Sequence, residues 1–93
     1  LESKSVKNIN NLRIVNGFLS CYLNAFDRQE IDVSVIDFYG KKTYEYKRVI
    51  YEGINHIKIN LSDLKNGIYI LNLSTNDTNY SQKFLNIKWE NYI

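Results

Sequence analysis

His56 and Cys21 are the residues of this 93-residue chain whose types most readily do chemistry, and each type occurs once. One histidine and one cysteine cannot build a His/Cys metal cluster of useful spacing. A Ser-His-Asp triad would have to use His56, which alternates with Lys58 and Asn60 on what reads as the wet face of a strand. Cys21 lies in the apolar stretch "GFLSCYLNAF". It has no second cysteine to pair with and is expected to be a small core residue, not a reactive thiol. The carboxylates are scattered singly, with no pair placed for acid–base work. "NDTN" and "DLKNG" carry oxygens suited to calcium but lack the ordered acidic spacing of a binding loop, so both read as turns. Eight tyrosines offer material for a sugar-binding surface, although tyrosine-rich strands are also ordinary sheet cores and faces. No catalytic site, metal or cofactor is expected, and the chain is read as a non-enzyme.

Composition narrows the partners. Net charge is +2 and no Lys/Arg run exceeds two, so a nucleic-acid footprint is not expected. The apolar runs are only a few residues long, which argues against membrane insertion. The chain starts at Leu1 without an initiator methionine or signal-peptide pattern, and is read as a processed product or a piece of something longer. Abundant Asn, Ile and Lys fit an AT-rich genome, which discounts the glycosylation sequons at Asn60, Asn72, Asn76 and Asn79.

The scaffold is expected to be all-β. Tyrosine and isoleucine are strand formers, whereas alanine occurs once and methionine not at all. "LESKSVKNIN" is polar and aperiodic, so residues 1–11 read as an N-terminal arm or linker and 12–93 as a single β-sandwich domain. From residue 12 the chain divides into seven alternating segments: "LRIV", "FLSCYL", "EIDVSVIDF", "KTYEYKRVIY", "NHIKINLS", "IYILNLST" and "YSQKFLNIKW". Turn signals separate them, among them Asn16-Gly17, Tyr39-Gly40-Lys41 and Glu52-Gly53. Strands at spacings of roughly 8–12 residues predict a seven-stranded antiparallel immunoglobulin-like sandwich. Val33, Val35, Ile57, Ile59, Leu61, Tyr69, Leu71 and Leu73 form its inward faces.

One stretch asks for a more specific reading. In "SDLKNGIYIL", Ser62 is placed to cap a helix-like turn, Leu64 to plug the core, and Gly67 to end the turn with a positive φ. Tyr69 then has the position of a corner tyrosine, whose hydroxyl bonds back to the backbone a few residues upstream.

Residues 31–85 resemble the C-terminal sorting domain of type IX secretion cargo, found in Bacteroidetes. The resemblance rests on "IDFYGKKTYEY", on "EGINHIKINLSDLKNGIYILNLST" and on "YSQKFL". Gly40, Lys41, Gly53, Asn55, Leu64, Gly67, Tyr69, Leu71 and Lys83 sit at the family's motif positions. The resemblance implies a small seven-stranded sandwich, a non-catalytic secretion signal recognised by the secretion machinery, and a place outside the cell or on its surface. Two other readings stand beside it. One is a structural or adhesive module, such as a cell-surface or phage virion decoration domain held among neighbouring subunits. The other is a carbohydrate- or protein-binding module. Beyond residue 85 the chain runs on as "NIKWENYI", where Trp89, Tyr92 and Ile93 are read as a possible contact tail.

Overall fold

A computed structural model describes residues 6–87, in which the alternating segments form seven antiparallel strands and no helix. They are β1 (Val6–Val15), β2 (Phe18–Ala25), β3 (Gln29–Asp37), β4 (Lys42–Ile50), β5 (Gly53–Asn60), β6 (Gly67–Ser74) and β7 (Asn79–Asn86). Two sheets result, a three-stranded one in the order β1-β2-β5 and a four-stranded one in the order β4-β3-β6-β7. The chain therefore crosses between sheets after β2, after β4 and after β5. Each crossing must satisfy backbone groups that leave a ladder.

Registers place the inner faces together. Val33 and Val35 of β3 stand opposite Leu73 and Leu71 of β6, while Leu19 and Cys21 of β2 stand opposite Ile59 and Ile57 of β5. All eight are buried, as are Leu61 and Tyr69, so every residue expected on the inward faces is there. Burial pushes the Cys21 thiol from its ordinary 9.0 up to about 11, because ionising it would strand a thiolate among aliphatic side chains. The expected core role for this cysteine holds.

Two expectations are corrected. Residues 6–11, read as part of an arm, are the first part of β1: Val6 is buried opposite Ala25, and Ile9 packs on the core opposite Leu23. The alternation was hidden because β1 is bulged. Three residues from Asn10 to Arg13 span the two-residue step from Tyr22 to Ser20, and Asn11 takes φ 55°. The stretch after β5 is the single turn expected there, closed by Leu64 N–H donating to the Leu61 carbonyl at 3.0 Å. The Asn60 side-chain oxygen accepts from Ser62 N–H at 2.9 Å at the start of this turn. Finally, Gly67 has no positive φ: among the described glycines that conformation belongs to Gly17, Gly40 and Gly53. Gly67 is already the first residue of β6, paired with Asn86, and so is extended.

The last correction sets the order in which substitutions at Gly17 and Gly67 should cost stability. Gly17 follows Asn16 in a hairpin turn with φ of 53° and 80°, the paired positive values of a type I′ turn. Gly17→Ala is expected to cost about 1 kcal/mol through left-handed strain. At Gly67 an added Cβ would meet only Tyr69 Cε2 at 3.7 Å, ordinary contact. Gly67→Ala is therefore expected to be neutral, or to stabilise by about 0.5 kcal/mol by restricting the unfolded chain. Urea titration of both variants gives the comparison; a larger loss at Gly67 would contradict it.

Candidate functional site

The motif positions fall in three places, each built from local backbone chemistry. In the β3–β4 hairpin, Asp37 Oδ1 accepts from Tyr39 N–H and Lys41 N–H, both at 2.9 Å. Gly40 adopts φ 87° there and donates to the Asp37 carbonyl at 3.0 Å. Asp37 was not singled out in the sequence, although an Asp three residues before a turn glycine is a signal for such a turn. Lys41 is exposed beside it.

At the crossing from β4 to β5, Gly53 takes φ 97° and Asn55 is buried. The Asn55 carboxamide accepts from Tyr51 N–H at 3.0 Å and donates to the Tyr51 carbonyl at 2.8 Å. It also donates to the carbonyls of Gly53 at 3.2 Å and Leu23 at 3.4 Å. One side chain thus replaces the ladder that the chain abandons when it changes sheets.

At the β5–β6 crossing, Tyr69 donates its hydroxyl proton to the Lys65 carbonyl at 2.7 Å. Its ring stacks on Phe84 with centroids 5.9 Å apart. Leu64 packs against the core from the turn and Gly67 begins the strand. Asn86, unremarked in the sequence, is buried here and donates from its amide to the carbonyls of Lys65 at 3.2 Å and Leu64 at 3.4 Å. Its signal was parity: Asn86 shares the inward phase of Phe84. Tyr69→Phe is expected to cost about 1–2 kcal/mol, since the part-buried bond of a buried tyrosine's hydroxyl is lost. Equal unfolding midpoints for wild type and Tyr69→Phe would reduce the tyrosine to packing alone.

Leu71 and Lys83 are divided by the same alternation, Leu71 inward and fully buried, Lys83 on the outer face and exposed. That outer face is not uniform. Towards the β6–β7 turn it carries Asp32, Ser34, Glu45, Lys47, Asn72 and Ser81, with an Asp32–Lys47 contact at 3.5 Å. Towards the β3–β4 hairpin it is aliphatic. Ile36 stands opposite Ile70, and Ile68 opposite Leu85, with Ile68, Ile70 and Leu85 all exposed. Lys42 and Lys83 close the row on either side, opposite Ile36 and Ile70. The hairpin tip beyond it holds Phe38 and Tyr39, 76 % and 92 % exposed and packed edge to face. A contiguous exposed apolar patch with a polar rim is the usual form of a protein contact surface. Trp89, Tyr92 and Ile93 lie outside the described residues.

His56, of a type that does chemistry, is engaged by its neighbours. His56 is exposed on the other sheet, its Nε2 2.6 Å from the Ser20 hydroxyl and its ring stacked on Tyr22. No group of three or more His, Cys, Asp or Glu side chains gathers to hold a metal among the described residues. No helix among them is long and apolar enough to cross a membrane.

Compared with curated protein sequences, the chain finds no match. A family model described as "Secretion system C-terminal sorting domain" matches residues 4–88, which takes in all seven strands and the three motif clusters. With its turns, crossings and strand order all inside that match, the chain belongs to the family of secretion-system C-terminal sorting domains, the non-catalytic sorting signals of type IX-exported proteins.

Proposed function

We propose that the export machinery docks on the aliphatic outer face of the four-stranded sheet, with Ile36, Ile68, Ile70 and Leu85 as its apolar centre and Lys42 and Lys83 as its rim. Domains of this family mark proteins for the cell surface or for secretion, and so must meet that machinery. The observation that carries the assignment is a coincidence of place. Lys83, an exposed charged residue among the motif positions, stands opposite Ile70 at the edge of the main aliphatic patch, and Lys41 lies in the β3–β4 hairpin turn at the same end of the sheet. The remaining motif residues, Gly40, Gly53, Asn55, Leu64, Gly67, Tyr69 and Leu71, act on this reading by holding the turns and crossings that bring the patch together. On this reading the partner surface is apolar at its centre and acidic where it meets Lys83, Lys42 being already paired with Glu45 at 2.8 Å.

The same reading carries an immunoglobulin-like Greek key, supported by the β1-β2-β5 and β4-β3-β6-β7 orders and by a corner tyrosine at the start of β6. It also carries a Bacteroidetes source and a chain without enzymatic activity of its own.

Export of a passive reporter fused to the full chain, in a type IX-competent host, tests the patch. The double variant Ile70→Glu/Leu85→Glu is expected to lower the exported fraction about tenfold or more, as loss of central apolar contacts does. Asn72→Glu, on the polar half of the same face, is expected to leave export unchanged. Both should fold normally, since all three side chains point outward. Undiminished export of the double variant would rule out this surface.

A further inference from the structure

We propose that the outer face of the three-stranded sheet binds an acidic oligosaccharide, against a wall formed by Tyr22. This face is on the opposite side of the sandwich from the aliphatic patch, so the two surfaces are independent.

The bulge in β1 is the starting observation. In a regular strand Asn10 and Arg13 would point to opposite faces. The extra residue at the bulge brings Asn10, Asn11 and Arg13 to the same groove, of about 510 Å³, with Asn8, Tyr22 and Asn24. That volume lies in the range of small-molecule sites. Asn11 holds φ 55° at the bulge, a left-handed conformation that asparagine adopts more readily than other non-glycine residues.

The lining has the chemistry of sugar recognition. A pyranose ring presents a face of C–H bonds, which suits an aromatic ring, and a rim of paired hydroxyls, which suits carboxamides because each both donates and accepts. Tyr22 supplies the ring. One of its faces is stacked on His56 at 4.8 Å, and His56 is itself held by the Ser20 hydroxyl at 2.6 Å. The Arg48 guanidinium grips the His56 carbonyl at 2.7 Å. The wall is thus braced before any ligand arrives.

Charge selects the kind of sugar. The charged side chains that the registers place on this face are cationic, Arg13 and Lys58, with no carboxylate among its described residues. Arg13 also lines an adjoining groove of about 380 Å³ together with His56 and Lys58, so it stands between two subsites. A guanidinium there matches the carboxylate of a uronic acid in fork geometry.

The test is a titration of the isotope-labelled full chain with hexameric oligogalacturonate, neutral maltohexaose and a polyglutamate of matched charge, followed by amide NMR shifts. Oligogalacturonate is expected to bind at about 1 mM or tighter and to shift Asn10, Arg13, Tyr22 and Asn24. Arg13→Gln and Tyr22→Ala should each weaken binding about tenfold or more. Arg13→Gln alters an exposed side chain, so it reads the site even where Tyr22→Ala disturbs the sheet. Saturable binding of oligogalacturonate with that sensitivity supports the proposal. An equal response to polyglutamate, equal binding of maltohexaose, insensitivity to Arg13→Gln, or no shift from oligogalacturonate would each overturn it.

Discussion

Leu71→Ala is expected to lower the unfolding free energy by about 2–5 kcal/mol, the range for emptying a packed aliphatic site. Leu71 is fully buried at the middle of β6, opposite the buried Val35 of β3 on one side and the exposed Gln82 of the edge strand β7 on the other. The sandwich core is one layer of side chains from each sheet, so no mobile segment can collapse into the space left behind. The neighbouring position supplies the control. Ile70 is the adjacent residue on the same strand but points outward, and Ile70→Ala is expected to cost under about 1 kcal/mol. Urea unfolding should move the midpoint for Leu71→Ala while leaving the slope nearly unchanged. A loss at position 71 no greater than at position 70 would mean that the inner and outer faces have been exchanged.

Asn55→Ala should cost about 2–4 kcal/mol, although it deletes only a carboxamide. The cost comes from what is left behind. Tyr51 N–H and the Tyr51 carbonyl both bond to this side chain, at 3.0 and 2.8 Å, where β4 ends and the chain changes sheets. Removing it orphans backbone groups beside a buried position and also loosens the tie to the Leu23 carbonyl of β2. Asn55→Asp keeps the acceptor but loses the donors and places a charge at a site only 7 % exposed, so it should be at least as damaging. By contrast Asn60→Ala, which frees one exposed turn amide, should stay under about 1 kcal/mol. Hydrogen exchange adds a local readout: the Tyr51 amide should lose protection in Asn55→Ala well before the amides of β3. If it keeps full protection, the carboxamide is not what closes this crossing.

If the aliphatic patch is the proposed docking face, stability and recognition use opposite faces of the same strands and should be separable. Ile70 and Leu71 show it within two residues. Export should respond to the outward side chain and unfolding to the inward one. A variant that unfolds would fail export for a different reason, which is why the outward pair carries the export test.

Much was legible in the chain itself. Alternation along "NHIKINLS" and "IYILNLST" put Ile57, Ile59, Leu61, Leu71 and Leu73 on the inner faces, because a side chain's face in a strand depends only on the parity of its position. Asn16-Gly17 determined a tight hairpin, since few residue pairs accept two positive φ values. Tyr69, two residues after Gly67, announced the corner that its bond to Lys65 makes. These are local properties, carried by neighbours within a few residues. The start of β1 was decided otherwise. "VKNINN" has little alternation, and becomes strand because β2 offers an edge of unpaired backbone groups and a place for Val6 and Ile9 in the core. The roles of Asn55 and Asn86 also depended on partners far along the chain, Leu23 for one and Leu64 and Lys65 for the other. The aliphatic patch is the plainest case. Ile36, Ile68, Ile70 and Leu85 become neighbours only when β3, β6 and β7 pair in one register. A one-residue slip would turn the inner and outer faces over, and only burial of the core side chains forbids it.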